Sequence, residues 1–269
     1  MGSSQKDIEI EIDGKIDSYI KNLHEVIIKM DDAQSIEKIF WDFADLLLFE
    51  YILEIDQKEY SLFDIEFYYY SKEHPDPYVH RNEKQKSHRY VYQHGSGFDL
   101  CFGDDSNGVY FGVLVKGMLK INEKTDKSTF IRSLEGKKII ENSVKLLSKP
   151  SNDKTKNTNR SLRSTRVGLK YHPADITTPT YIARKYRFVK DLNMMPVKEK
   201  PSDYLYEVEK IKFYYHLDTC MNIRNIEPSE HNGISKTRKL CEEYNKMLEY
   251  LGEDSIFNLV RKNKSCCNS

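Results

Sequence analysis

The stretch that decides the fold runs from Phe63 to His80 and reads FDIEFYYYSKEHPDPYVH. Its first half is rich in aromatic and β-branched side chains, which predicts a strand that enters the interior. Glu66 lies in this strand between Ile65 and Phe67, where a carboxylate is costly to bury unless it has partners or a task. The two prolines that follow favour an extended turn, which would bring His80 back over the strand end. Glu66 is therefore the first candidate for a catalytic base.

Composition limits the classes of protein that have to be considered. The chain has 269 residues with no net charge, so no whole-molecule field attracts nucleic acid and any basic footprint has to be local. No signal peptide and no apolar run long enough to span a bilayer are recognisable, so no membrane partner is expected. Five cysteines without a CxxC pair argue against structural zinc and favour reduced thiols in a cytoplasm. We expect a cytoplasmic monomer.

Periodicity predicts a mixed α+β fold in which helices flank a curved antiparallel β-sheet on one side. Helices are expected at 13–30, from a cap at Ser35 to Leu47, and around 139–147. The expected strands are 48–55, 60–70, 89–92, 98–102 and 109–117, with a bulge or hairpin tip at 95–97. For domains, we expect an N-terminal helical extension at 1–34, an α/β body at 35–200, and a C-terminal helical extension at 201–269 with a disordered tail.

A basic, Ser- and Asn-rich segment from Lys149 to Lys170 is the best local candidate for binding phosphates. Positive charge continues downstream of it. The residues that we predict to contact DNA in this part of the chain are Lys154, Lys156, Arg160, Arg163, Arg166 and Arg187.

Short motifs along the chain resemble, in the same order, those of the alkyladenine (3-methyladenine) DNA glycosylase family. The matching segments are 65–68 (IEFY), His80, 90–92 (YVY), 112–116 (GVLVK), 165–169 (TRVGL) and 183–188 (ARKYRF). The resemblance implies a similar mixed domain that binds double-stranded DNA and flips a nucleotide out of the helix. It also implies hydrolysis of the N-glycosidic bond by water, with no metal and no cofactor.

Each role implied by the resemblance is one that the residue type can perform. Glu66 would deprotonate water and stabilise the positive charge that develops on the sugar. Tyr68, His80 and Tyr92 would bind the extruded base with aromatic faces and polar tips. A cationic base would leave without help, whereas a neutral base would need a proton from His80 or Asp99.

This chain departs from the family pattern at three positions. His94 is the nearest candidate for the family's intercalating tyrosine, and Asp99 is the nearest polar residue to its asparagine. Lys116 stands for the arginine of the pocket floor and cannot form the same bidentate fork. Because these three positions would contact the DNA or the base, the changes bear on whether an alkylated purine is the substrate. A bulkier base, including a hypermodified cytosine of phage DNA, is a competing substrate and would imply antiviral defence in place of DNA repair.

Other functions remain open at the level of sequence. Glu66 has a purely structural interpretation, as half of a buried ion pair with Arg89 or Lys116. A metal-dependent nuclease is a second possibility, and a DNA-binding module without catalysis is a third. The metal ligands of such a nuclease would be Glu66, His74, Asp76 and His80.

Overall fold

The structure, a computed structural model, describes residues 7–30, 33–121, 129–149, 160–164, 166, 169, 181 and 184–190. The chain divides into two compact units, Met1–Ser164 with Lys185–Val197 and Thr165–Arg184 with Lys198–Ser269. Few residues of the second unit are described, so the fold given below is that of the first. The C-terminal extension expected at 201–269 lies outside the described residues.

The first unit is a mixed α+β structure with a nearly closed, curved sheet and few helices. The helical elements are α1 (Gly14–Ile28), α2 (Ala33–Asp45), a π-helical turn (Leu46–Glu50), α3 (Glu83–Lys86) and α4 (Ser133–Ile139). The strands are β1 (Ile10–Ile12), β2 (Tyr51–Ile55), β3 (Lys58–Tyr70), β4 (His88–His94), β5 (Gly97–Phe102), β6 (Tyr110–Lys120), β7 (Thr129–Arg132), β8 (Val144–Ser148), β9 (Leu162–Ser164) and β10 (Arg187–Val189). Within the described residues no helix is both long and apolar enough to cross a bilayer.

The strand order explains why the sheet nearly closes. The main path runs β1-β8-β2-β3-β6-β5-β4, while β10 pairs with β3 and β9, and β7 pairs with β6. Pairing is antiparallel except between β1 and β8, which run parallel. The two ends of the path meet where Glu9 bridges Tyr90 and where the Val91 N–H donates to the Ile8 carbonyl at 2.9 Å. An edge that finds a partner in this way leaves few backbone groups unpaired.

The main core lies between one face of the sheet and the two N-terminal helices. In α1 the residues predicted to face inward, Ile16, Ile20, Leu23 and Ile27, are all buried. The Asp13 carboxylate caps this helix by accepting from the Ile16 N–H at 2.9 Å. In α2, Phe40 packs edge-on against Phe67 of β3 with ring centroids 5.4 Å apart.

Strand alternation separates the core from a second, polar face of the sheet. Ile65, Phe67 and Tyr69 belong to the main core, whereas Glu66 and Tyr68 point away from it. The helices do not all lie on one side as expected, because α3 supplies Gln85 to this second face. The candidate site is built here.

Three expectations about local structure are wrong. Ser35 does not cap α2, because this helix already begins at Ala33. The segment expected as a helix around 139–147 contains strand β8, which pairs with β2 over its whole length because its apolar residues alternate with others. Over its described residues the segment expected as an N-terminal extension is part of the same body, since β1 joins the sheet and α1 fills the core.

Candidate active site

Glu66 lies in the middle of β3 and is fully buried, at 0% exposure. The Tyr68 hydroxyl, two residues along the same face, donates to Glu66 Oε2 at 2.9 Å. Across the sheet Glu66 is paired with Arg187 of β10 on one side and with Leu114 of β6 on the other. Its carboxylate is therefore held in a dry environment in which electrostatic interactions are strong.

Arg187, the strand neighbour of Glu66, binds the carboxylate of Asp64. Its Nε and Nη2 atoms donate to Asp64 Oδ1 and Oδ2 at 2.9 and 2.6 Å, a bidentate pair in which both side chains are about 95% buried. Burial raises the pKa of Asp64, while Arg187 and, more weakly, Lys116 act to lower it. The Asp64–Arg187 pair fixes β10 against β3 directly beside the strand position of Glu66.

Asp99 lies on the same polar face, two strands away from Glu66. Both residues are register partners of Leu114, so their backbones are about 10 Å apart at the usual strand spacing. Asp99 is buried and accepts from Gln85 Nε2 on Oδ2 at 2.8 Å and from His94 Nε2 on Oδ1 at 2.9 Å. Both oxygens are therefore occupied. These contacts favour a positioning role for Asp99, whereas the sequence predicted a catalytic one.

The contacts of His94 define its tautomer. Its Nδ1 accepts from the Ser96 N–H at 3.3 Å, which leaves Nε2 to carry the proton that it donates to Asp99. The His94 side chain is only 7% exposed. The hairpin tip beyond it consists of Gly95 and Ser96, which are exposed. His94 therefore does not project from the hairpin, which argues against the prediction that it is the intercalating residue.

Tyr92, His94 and His80 form a continuous aromatic wall next to Asp99. The Tyr92 and His94 rings stack with centroids 5.1 Å apart, and His80 packs edge-on against His94 at 4.8 Å. Partial desolvation of its ring lowers the pKa of His80 and His94 lowers it further, so the imidazole is neutral near pH 7 although the residue is exposed. Burial and the charge of Asp99 raise the pKa of Tyr92, which keeps its phenol protonated. The sequence predicted His80 and Tyr92 as pocket residues, and the structure brings them together.

Gln85 is the main residue that the sequence analysis missed. It lies in α3, where the Asn82 side chain accepts from the Lys84 N–H at 3.0 Å and Gln85 Oε1 accepts from the Asn82 N–H at 3.2 Å. This reciprocal capping box has a local signature, N-x-x-Q, that could have revealed the helix. Gly112 makes room for it, since an added Cβ would lie 2.7 Å from both Gln85 Nε2 and Asp99 Oδ2.

Arg160 and Arg163, predicted as DNA contacts, are engaged with helix α2. Their guanidinium carbons lie 4.0 and 3.8 Å from the centre of the Trp41 ring. Arg160 also pairs with Asp42 at 2.8 Å and with Asp45 at 2.9 Å. Their charge is largely neutralised within the protein, so they are poor candidates for phosphate contacts.

The other predicted DNA contacts fall into two groups. Arg166 and Arg187 are both about 96% buried; Arg166 donates to the Tyr181 carbonyl at 3.2 Å, and Arg187 is bound to Asp64. Their assignment as phosphate contacts is therefore corrected to a structural role. Lys154 and Lys156 lie outside the described residues.

The alternative interpretations can also be compared with the geometry. Arg89 pairs with Asp17 of α1 at 2.7 Å and not with Glu66. His74 lies in the main core, where its Nε2 and the Tyr186 hydroxyl are 3.2 Å apart, so it does not converge with Glu66. Over the described ranges no group of three or more His, Cys, Asp or Glu side chains is arranged to hold a metal ion. Lys116, predicted as a substrate contact, lies half-exposed on the polar face of β6.

Comparison with known proteins gives no match to a family model, a curated protein or a solved structure. The functional assignment accordingly depends on the geometry of the polar face and on the motifs that the sequence itself carries. Three of those motifs, at 65–68, 90–92 and 112–116, lie on strands β3, β4 and β6, which are near neighbours in the sheet.

Proposed function

We propose that the protein is a DNA glycosylase, similar to the alkyladenine DNA glycosylase family, that flips a damaged or modified base from duplex DNA and hydrolyses its N-glycosidic bond. The observation that carries this proposal is the environment of Glu66. It is a dehydrated carboxylate, bonded to Tyr68, on a sheet face that also bears the Tyr92, His94 and His80 wall. An extruded base can stack on such aromatic faces, and such a carboxylate can stabilise the positive charge that develops on the sugar.

In the proposed reaction Glu66 accepts a proton from water while the water oxygen bonds to the anomeric carbon. The carbon–nitrogen bond to the base breaks, and its electron pair stays on the base. The carboxylate stabilises the positive charge that develops on the sugar, an effect that is large in a dry site. The product is an abasic site.

The leaving base determines whether an acid is required. A base that is already cationic departs as a neutral molecule. A neutral base needs a proton, and both oxygens of Asp99 are occupied, which leaves His80 as the candidate donor. His80 is exposed and has a neutral ring, so it suits the binding of a base better than the delivery of a strong acid. A cationic alkylated purine fits this arrangement without an acid, whereas a modified cytosine is neutral and its release would depend on a proton from His80.

Access to Glu66 requires movement in the protein, because its side chain is fully buried. The hydroxyl of the partly exposed Tyr68 is bonded to one of its oxygens, so that bond has to break before water reaches this oxygen. We assign to Tyr68 the role of exchanging its bond with Glu66 for contact with the incoming base.

The proposal is tested by incubating the protein with duplex DNAs that carry either alkylated purines or glucosylated hydroxymethylcytosine, and by identifying released bases with mass spectrometry. We expect one class of free base together with abasic sites, unaffected by a chelator. A chelator-sensitive strand break would indicate a nuclease instead, and binding with no product would indicate a DNA-binding module. Release of no base from any DNA tested, without binding, would overturn the proposal.

A further inference from the structure

A second cluster lies on the same sheet face, farther along β3. Tyr70 ends β3 and is the register partner of Tyr110, which begins β6. Their rings meet edge to face at an interplanar angle of 73° with centroids 6.0 Å apart, and both residues are partly exposed. The Arg81 guanidinium lies over the Tyr70 ring at 4.9 Å. Because Tyr70 follows Glu66 by four residues on one face, the two are separated by about 13 Å along the strand.

Arg81 differs from Arg160 and Arg163, which also lie over an aromatic ring, in whether a carboxylate lies close to its guanidinium group. Arg160 and Arg163 lie over Trp41 and have carboxylates within 4 Å. Arg81 is exposed, and among the described residues no carboxylate forms an ion pair with it. An exposed cation that rests on an aromatic face and has no internal counter-ion is available to an external anion.

The backbone at Arg81 is held in an unusual conformation. Its φ of 51° lies in the left-handed region, which residues other than glycine rarely adopt. The turn sends His80 to the Tyr92 and His94 wall, while Arg81 lies over Tyr70. Local strain of this kind persists where the surrounding structure imposes it, and it concentrates at functional sites. One strained residue thus connects the candidate active site with the Tyr70 cluster.

We propose that Tyr70, Tyr110 and Arg81 form a nucleotide subsite that binds a neighbour of the nucleotide held at Glu66. A flanking base stacks against the half-exposed rings, and the Arg81 guanidinium binds a backbone phosphate. The inference depends on the proposed function in taking DNA as the substrate. It adds that the protein recognises a nucleotide within a strand, and that a base next to the excised one is also unstacked.

The subsite is tested with a fluorescein-labelled duplex that carries one tetrahydrofuran abasic-site analogue flanked on each side by 2-aminopurine. Binding is measured by anisotropy over a range of salt concentrations, and stacking by the 2-aminopurine emission. Arg81→Gln removes the charge and keeps a shorter polar side chain, while Tyr70→Leu removes the ring and keeps an apolar side chain. Arg89→Gln is the matched control, since Arg89 also has a positive φ, of 72°, but pairs with Asp17.

We expect Arg81→Gln to weaken binding and to reduce the slope of log Kd against log salt by about 0.7–0.9, the value for one lost phosphate contact. Tyr70→Leu should weaken binding by about 5-fold to 150-fold and abolish the change in 2-aminopurine emission. Arg89→Gln should behave as the wild type. Thermal unfolding of each variant shows that it is folded. Arg81→Gly, which removes the charge and relieves the strained φ, should bind DNA as poorly as Arg81→Gln.

The outcomes separate this inference from the proposed function. Base release by the wild type, with unchanged affinity and salt slope in the Arg81 and Tyr70 variants, would overturn the subsite alone. Stacking that depends on Tyr70, without release of any base, would support the subsite and overturn the glycosylase. No binding of DNA by the wild type would overturn both.

Discussion

Replacement of Gly112 by alanine tests the buried network that orients the aromatic wall. The added methyl group would lie 2.7 Å from both Gln85 Nε2 and Asp99 Oδ2, which are bonded to each other at 2.8 Å. Both atoms are side-chain ends, and a movement of either one alone away from the methyl group stretches that hydrogen bond. Its loss costs about 1.5–3 kcal/mol because the acceptor is a carboxylate. The smaller entropy of the unfolded alanine chain returns about 0.4–1 kcal/mol.

The expected net effect of Gly112→Ala is a loss of roughly 1–2 kcal/mol in the free energy of unfolding, measured by urea denaturation. Gly95→Ala is the matched control, since an added Cβ at the hairpin tip meets nothing within 4 Å. In a Gln85→Ala background the hydrogen bond is already lost, so Gly112→Ala should cost clearly less there than in the wild type. Equal costs in the two backgrounds, or a Gly112→Ala protein as stable as the wild type, would refute this description of the network.

Three further predictions concern other parts of the first unit. Burial, together with the neighbouring charge of Lys149, lowers the pKa of Lys190 to about 8 in the folded protein. Above that pH the unfolded chain binds more protons than the folded one, so the free energy of unfolding should rise from pH 8 towards about 10. Lys190→Met should reduce this rise when it is measured by urea denaturation at several pH values. Arg187→Met should lower the free energy of unfolding by about 3–5 kcal/mol, because it leaves the buried Asp64 carboxylate without its cation. The double variant Asp64→Leu/Arg187→Met should recover most of this loss. An Arg187→Met protein as stable as the wild type would contradict the structural role of the pair. Arg160→Ala should lower the unfolding free energy by about 1 kcal/mol and leave the salt dependence of DNA binding unchanged, whereas a flatter salt slope would restore it as a phosphate contact.

The parts of the fold that were predicted correctly are those determined by local periodicity. The spacing of Ile16, Ile20, Leu23 and Ile27 predicted α1, because a helix that buries one face needs apolar residues at that period. The hairpin around Gly95 and the strand that contains Glu66 follow from equally local patterns. The closure of the sheet by residues 8–10 was not predictable, since short strand segments carry no signal of their distant partner.

The sequence identified several residues of the candidate site, but it did not show which side chains they bind. His80 and Tyr92 were found because motif order placed them together, and the structure has their rings in contact. Composition showed that Arg160 and Arg187 are positive, but not that carboxylates far away in sequence neutralise them. Gln85 appeared to be one polar residue in a loop. Only the fold shows that it shares Asp99 with His94.

The central claim is that Glu66 activates the water that releases the base, and Glu66→Gln tests it most directly. Glutamine keeps an oxygen that can accept from Tyr68 but cannot take a proton from water. We predict that the variant binds DNA with wild-type affinity, while the single-turnover rate of base release, followed by mass spectrometry, falls by at least about a hundredfold. A Glu66→Gln protein that releases base at the wild-type rate would contradict the account.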